Sequence, residues 1–367
     1  MAMQISGVTI QGGVNILPAG GSPSPAVEKI LAGAFFADNQ QGKAYVYNTD
    51  GSGEVSISGS DGNSDDKFGF SVAVSGSKIA IGAYGSPNNT SVGAVYVFDA
   101  NGSNQVKIVP SDGAADDQFG YSVAITSTKV IVGSPGDDDN GGNSGSVYTY
   151  NLDGTGETKI KPSDGSGSQQ FGKTVAATDS KIAVASPGTG IGSVYTFDLD
   201  GSNQAKMTPS DGSSGWEFGN GSLAINGTKV VAGARRRSSF TGGVYTFDHD
   251  GSNQNIITAS DGATSDTFGT RVDATDSKIA VTGGGTIYTY NIDGTGEVIF
   301  TPSPALNMSQ DYSIAIGSAK IVYGQTYDGS SFAGKVITFD LDGTNRNDVT
   351  ATGGGSGDRL GVWVAIG

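Results

Sequence analysis

The 367-residue chain predicts an all-β fold, a seven-bladed β-propeller of four-stranded antiparallel blades, and three observations carry that expectation. Glycine stands at 60 of 367 residues, and runs rich in Val, Ile, Tyr and Thr alternate with Gly, Asn, Asp and Ser, the pattern of short strands joined by tight turns. The stretch FGFSVA (68–73) returns as FGYSVA (119–124), and its Phe-Gly step recurs with a period of about 49 residues, in the range of propeller blades. The two ends of the chain read as complementary fragments of one more unit.

The Phe-Gly steps are Phe68-Gly69, Phe119-Gly120, Phe171-Gly172, Phe218-Gly219 and Phe268-Gly269, followed by degenerate copies at Tyr312-Ser313 and Leu360-Gly361. Each opens a short alternating strand, the first and innermost of its unit. An apolar second strand follows, as in KIAIGA (78–83), KVIVGS (129–134) and KIAVAS (181–186). A Gly-led third strand comes next, as in GAVYVF (93–98), GSVYTY (145–150) and GSVYTF (192–197). Hairpin turns such as NLDG at 151 and DLDG at 198 lead into the fourth strand, because Asp-Gly and Asn-Gly tolerate the positive φ of tight hairpins.

Residues 29–57 contain second, third and fourth strands without a first, and LGVWVAIG (360–367) is a first strand without successors. Six complete units and these two fragments make seven blades. The C-terminal strand, with Val362, Val364 and Ile366, is expected to pair with the partial blade at 29–34 and close the ring without a free edge. The domain division is therefore 1–28 as an N-terminal arm and linker and 29–367 as the propeller. The side chains of Phe68, Phe119, Phe171, Phe218 and Phe268 are expected as wedges between blades, each followed by a Gly that permits close backbone approach.

FG…SVA, the KIAVGAP-like strands and GSVYTF together resemble the FG-GAP repeat, found in the head of integrin α-subunits and in many bacterial and phage proteins; VGSPGDDDNGGNSGSVYTY (132–150) is especially similar to bacterial versions. The resemblance spans about residues 29–367 and implies the propeller fold. Integrin-like repeats that bind calcium carry a DxDxDG-type loop between the first and second strands. This chain lacks that loop, so those metal sites are not carried over.

A net charge of −15 and the absence of cysteine argue against a nucleic-acid binder, a disulfide framework and a thiolate site. No apolar run approaches membrane-spanning length. A sialidase-type propeller would show repeated Asp-boxes and a scattered arginine triad; neither is present, and no nucleophile and base can be paired, so the chain reads as non-enzymatic. His249, in a DHDG turn, reads as a neutral substitution.

Loops between second and third strands vary most and share a face with the loops that enter each blade, so binding is expected there. Arg235-Arg236-Arg237, the one basic run, reads either as a solvated loop or an intersubunit salt bridge, or as an anion clamp for a phosphate- or sulfate-bearing surface glycan, with Phe240 beside it and Tyr84 and Tyr327 placed to stack on sugar rings. Trp216 and Trp363 read as packed near blade junctions. Asp137, Asp138, Asp139 and Asn140 offer hard oxygen ligands for calcium, against the plainer reading of a solvated acidic loop. The Asp of each SDG triplet, as at Asp61, Asp112 and Asp164, reads as a turn former.

Residues 1–27 carry no charged side chain; MQISGVTI and VNIL are strand-like and PAGGSPSP is a linker, which reads as a disordered terminus or as an arm that adds a strand to a partner's sheet edge. The segment also resembles the starts of some marine-phage structural proteins, and MAMQISGVTIQGG shows neither a positive n-region nor an apolar h-region. These readings, taken with the resemblance to phage FG-GAP proteins, lead to the expectation of a virion surface or tail-associated phage structural protein. On that reading it binds other virion proteins through its arm and a host-surface glycan or protein through the propeller, without membrane insertion. The alternatives are an exported bacterial cell-surface adhesion propeller and a capsid decoration protein with no host ligand.

Overall fold

The structure is a computed structural model that describes residues 28–85, 92–188, 190–301, 312–325, 333–352, 354–355, 357–361 and 363–367. The arm before residue 28, Tyr327 and Val362 lie outside the described residues. Hairpin turns set the basic unit. In the first of them Gly51 takes φ 81°, and the Asp50 carboxylate accepts both the backbone N–H and the hydroxyl of Ser52. The turn is braced across its base by Lys29 and Asn48, and an equivalent lysine-to-Asp/Asn pair recurs in every blade through to Lys320 and Asp340.

The described residues form seven four-stranded antiparallel sheets. Blade 1 consists of Val364–Ile366, Lys29–Ala34, Lys43–Asn48 and Val55–Ile57, in that order from the centre outward. Blades 2 to 7 span 71–108, 122–160, 174–207, 223–257, 271–300 and 312–349. Closure follows the expected register: Ile30 pairs with Ile366, Leu31 with Ala365 and Ala32 with Val364, and Lys29 exchanges backbone hydrogen bonds with Gly367. The C-terminal strand thus removes an open inner edge that would otherwise be free to pair with another chain.

The core lies between blades. Phe68 sits in one apolar cluster with Leu31, Val46 and Ile57 of blade 1 and with Ile81, Tyr96 and Phe98 of blade 2. Its ring meets Tyr96 and Phe98 edge-on, at centroid distances of 5.3 and 6.2 Å, and Phe119, Phe171, Phe218 and Phe268 repeat that arrangement. The glycine requirement is direct. A Cβ on Gly69, at φ +88°, would stand 2.2 Å from the carbonyl oxygen of Lys43 in the preceding blade. Bridges from Gly42 to Phe68 and from Gly93 to Phe119 set the end of each second-to-third-strand loop beside the next Phe-Gly step, so both loop families share one face. Among the described residues no helix is long and apolar enough to cross a membrane.

Candidate functional site: the mouth of the central channel

Seven innermost strands surround a central channel of about 310 Å³. Their middle residues are Ala73, Ala124, Ala176, Ala224, Ala315 and Ala365 in six blades, and Asp273 in blade 6. The Asp273 carboxylate accepts the N–H of Ala274 at 2.9 Å and, across the blade boundary, the N–H of Ile316 at 2.8 Å. Burial pushes this carboxyl up to about 6, with the two N–H bonds acting in the opposite direction.

Just beyond the Phe-Gly step the chain reaches the channel rim, and here the otherwise uniform repeat varies. Phe70, Tyr121, Lys173 and Asn220 follow the Gly directly in blades 2 to 5, while Arg271 and Trp363 stand one residue further on in blades 6 and 1. Tyr121, Lys173, Asn220, Arg271 and Trp363, with Arg235 from a variable loop, line a recess of about 150 Å³ at the mouth. One side is aromatic: Phe70 lies 4.5 Å from Tyr84, 4.9 Å from Tyr121 and 6.4 Å from Trp363. The other side is cationic, and its charges lie over the rings. Lys173 stands 4.1 Å from the Tyr121 centroid, Arg271 5.5 Å from that of Trp363, and Lys67, outside the recess, 4.5 Å from that of Tyr84.

The sequence-predicted residues are only partly gathered here. Tyr84 joins the aromatic side and Arg235 the rim, but the arginine run is divided. Glu217 takes Arg235 and Arg236, both at 2.7 Å, whereas Arg237 turns outward to Asp211 at 3.0 Å and Tyr245 at 3.0 Å. A three-arginine clamp on one anion is therefore not what the loop forms. Phe240 is 47% exposed beneath Arg236, in a turn where Ser238, Ser239 and Phe240 take φ 47°, 59° and 66°. Asp38, Asn39 and Gln40 make the same left-handed turn in the matching loop of blade 1, a conformation that costs energy for residues with a Cβ. Both tryptophans pack at blade junctions as expected: Trp363 against the apolar cluster of blades 1 and 2, while also facing the mouth, and Trp216 against that of blades 4 and 5 beneath Arg237. His249 bonds the carbonyl of Asn226 through Nε2 at 3.0 Å, a bracing contact between turns.

The acidic loop at 137–140 is filled from within the chain. The Lys159 ammonium lies 2.8 Å from Asp112, 2.7 Å from Asp137 and 2.7 Å from Asp139, and Tyr148 donates to Asp112 and Asp137. Burial disfavours the charged lysine, but its three carboxylate partners hold it well above its ordinary value. Oxygens expected as calcium ligands thus hold an ammonium ion instead; Asp138 is exposed beside them, and the backbone N–H of Asn140 turns to Ser144. Among the described residues no group of three or more His, Cys, Asp or Glu is placed to hold a metal. Nor are the SDG carboxylates only turn formers. Asp61 accepts from Tyr96 and Lys107, and Asp164 from Tyr195 and Lys206, tying each entering loop to the two outer strands of its blade. In blade 5 Ile256 stands in the position of that lysine, and Arg237 reaches into the slot from its loop.

Ring, closure and channel together define a seven-bladed β-propeller whose variation is concentrated at one mouth. The FG-GAP repeat family matches at residues 52–98, 103–150, 155–197 and 202–247, which together make up half of the chain. The chain belongs to the FG-GAP repeat family. Each matched segment starts ahead of one blade's fourth strand and ends with the third strand of the next, so the sequence repeat straddles the boundary that its Phe wedges. No curated protein matches the chain.

Proposed function

We propose that this propeller is a non-enzymatic binding protein displayed on a virion surface or tail, attached through residues 1–28 and engaging a host-surface glycan with the channel mouth. The observation that carries the reading is the placement of a cationic and aromatic mouth on a protein of net charge −15. Such a patch departs from the charge of the whole molecule and from the repeat itself. The point at which the chain enters the ring supports display. Strand Lys29–Ala34 runs toward the mouth face, so the chain enters the ring at the opposite face, where Glu28 accepts the backbone N–H of Ser318 at 2.8 Å. An anchor on one face leaves the other turned outward.

Two measurements test the reading. Labelled full-length chain is expected to bind host cells, and to lose that binding once surface polysaccharide is stripped. Particles assembled with a chain lacking residues 1–20 are expected to contain no copies of it. Normal incorporation of the truncated chain would sink the anchor. Incorporation of the intact chain without any cell binding would favour the decoration role.

A further inference from the structure

Ten of the fifteen lysines in this acidic chain meet a carboxylate, and three more bond the neutral amide oxygen of an Asn. Lys43, Lys107, Lys159, Lys206 and Lys335 each meet a carboxylate, and the lysine that opens the second strand of each blade meets Asp or Asn. Among the described residues only Lys67 and Lys173 have neither, and both rest on tyrosine rings at the mouth. Thirty-six acidic residues against twenty-one basic ones make that pairing failure unexpected. A lysine held over a π-face with no counter-ion is set to receive an anion from outside.

Building on the binding role above, we propose that the mouth receives a single acidic sugar ring. Its carboxylate or sulfate group lies between Lys173 and the guanidinium of Arg271, and its apolar ring face rests on Tyr121 or Trp363. The recess of about 150 Å³ lies below the roughly 300 Å³ at which pockets for drug-sized ligands begin, which restricts it to one small ring. Arg235, held by Glu217 at 2.7 Å, borders the recess with its charge already matched, whereas Lys173 has no carboxylate partner, so the anion falls to Lys173, with the Arg271 guanidinium also lining the recess. A polyphosphate backbone is disfavoured because the rest of the molecule repels it. Asn220, the polar residue between the two cations, is placed to bond ring hydroxyls.

The test uses the full chain and four probes: glucuronate, glucose 6-sulfate, glucose and inorganic sulfate, each titrated calorimetrically and by tryptophan fluorescence. Both acidic sugars are expected to bind at least about tenfold more tightly than glucose, the effect of one charge-assisted hydrogen bond. K173M is expected to erase that preference while leaving the melting temperature unchanged, since the side chain makes only a ring contact. W363F is expected to remove the fluorescence response. Equal binding of glucose and glucuronate, or an unaltered preference in K173M, overturns the proposal. Inorganic sulfate binding as tightly as glucose 6-sulfate also overturns it, leaving a simple anion site. If K173M chain still binds cells like the wild type, the mouth assignment fails while the display role stands; if the wild type binds no cells, the display role fails on its own.

Discussion

Replacing Asp273 by Asn isolates the one carboxylate among seven equivalent channel positions. An aspartate in the open chain titrates near 3.8, and in the ring this group is pushed up to about 6. Below 3.8 it is protonated in both states and the ring bears no cost. From 3.8 to about 6 the open chain ionises while the ring still holds its proton, so a cost grows; above 6 it is complete. At about 1.4 kcal/mol for each tenfold in the proton equilibrium, the full cost comes to about 3 kcal/mol. Asp273 is only partly buried and lines the channel, so that figure is a ceiling. D273N keeps the shape and one acceptor for the N–H groups of Ala274 and Ile316. Near pH 4 it should match the wild type to within about 1 kcal/mol, the net worth of one hydrogen bond. As pH rises the variant should gain on the wild type, approaching about 3 kcal/mol and levelling off above pH 6. Urea unfolding followed by tryptophan fluorescence at half-unit pH steps reads this difference directly. A difference that stays constant from pH 4 to 7.5, or that runs with the opposite sign, refutes the reasoning.

Deleting residues 360–367 removes the partners of Ile30, Leu31 and Ala32 and exposes an inner edge; thermal melts should show a clearly lowered midpoint, and gel filtration self-association. K159M leaves Asp112, Asp137 and Asp139 facing one another without their shared cation, one of them buried, and should cost about 3 kcal/mol. Millimolar calcium should restore part of that loss in the variant and leave the wild-type melt unmoved. F171A removes a fully buried ring from between blades 3 and 4 and should cost about 3–5 kcal/mol in chemical unfolding, with the fold retained by circular dichroism.

The blades, their count and the closing strand were legible because each rests on a local pattern repeated in register. The Phe wedge was legible for the same reason. The SDG carboxylates were read too locally: their partners on strands three and four lie about 27–47 residues downstream. A signal was present, since Tyr96, Tyr148 and Tyr195 recur with Lys107, Lys159 and Lys206 wherever the staple is complete. The arginine run left the clamp reading open because its neutralising acids, Asp211 and Glu217, precede it in a different loop. The mouth was missed because it takes one residue from each of several blades and exists only once the ring has closed. It could have been found by asking which position breaks an otherwise uniform motif. That position follows the Phe-Gly step, where the aromatic Phe70 and Tyr121 give way to Lys173 and Asn220.

Antiparallel pairing of Lys29–Ala34 with both Lys43–Asn48 and Val364–Ile366 has a mechanical consequence. A pull applied between a tethered arm and a ligand held at the mouth acts along this strand, because its first residue leaves one face and its last turns into the other. Tension in that direction is shared at once by the hydrogen bonds on both flanks, a shearing load, whereas a sideways pull would open them one pair after another. Resistance to tearing is governed by the rate of opening rather than by equilibrium stability. A disc held this way resists unravelling under such a load, whereas the same arm attached to an outermost strand would peel the blade apart.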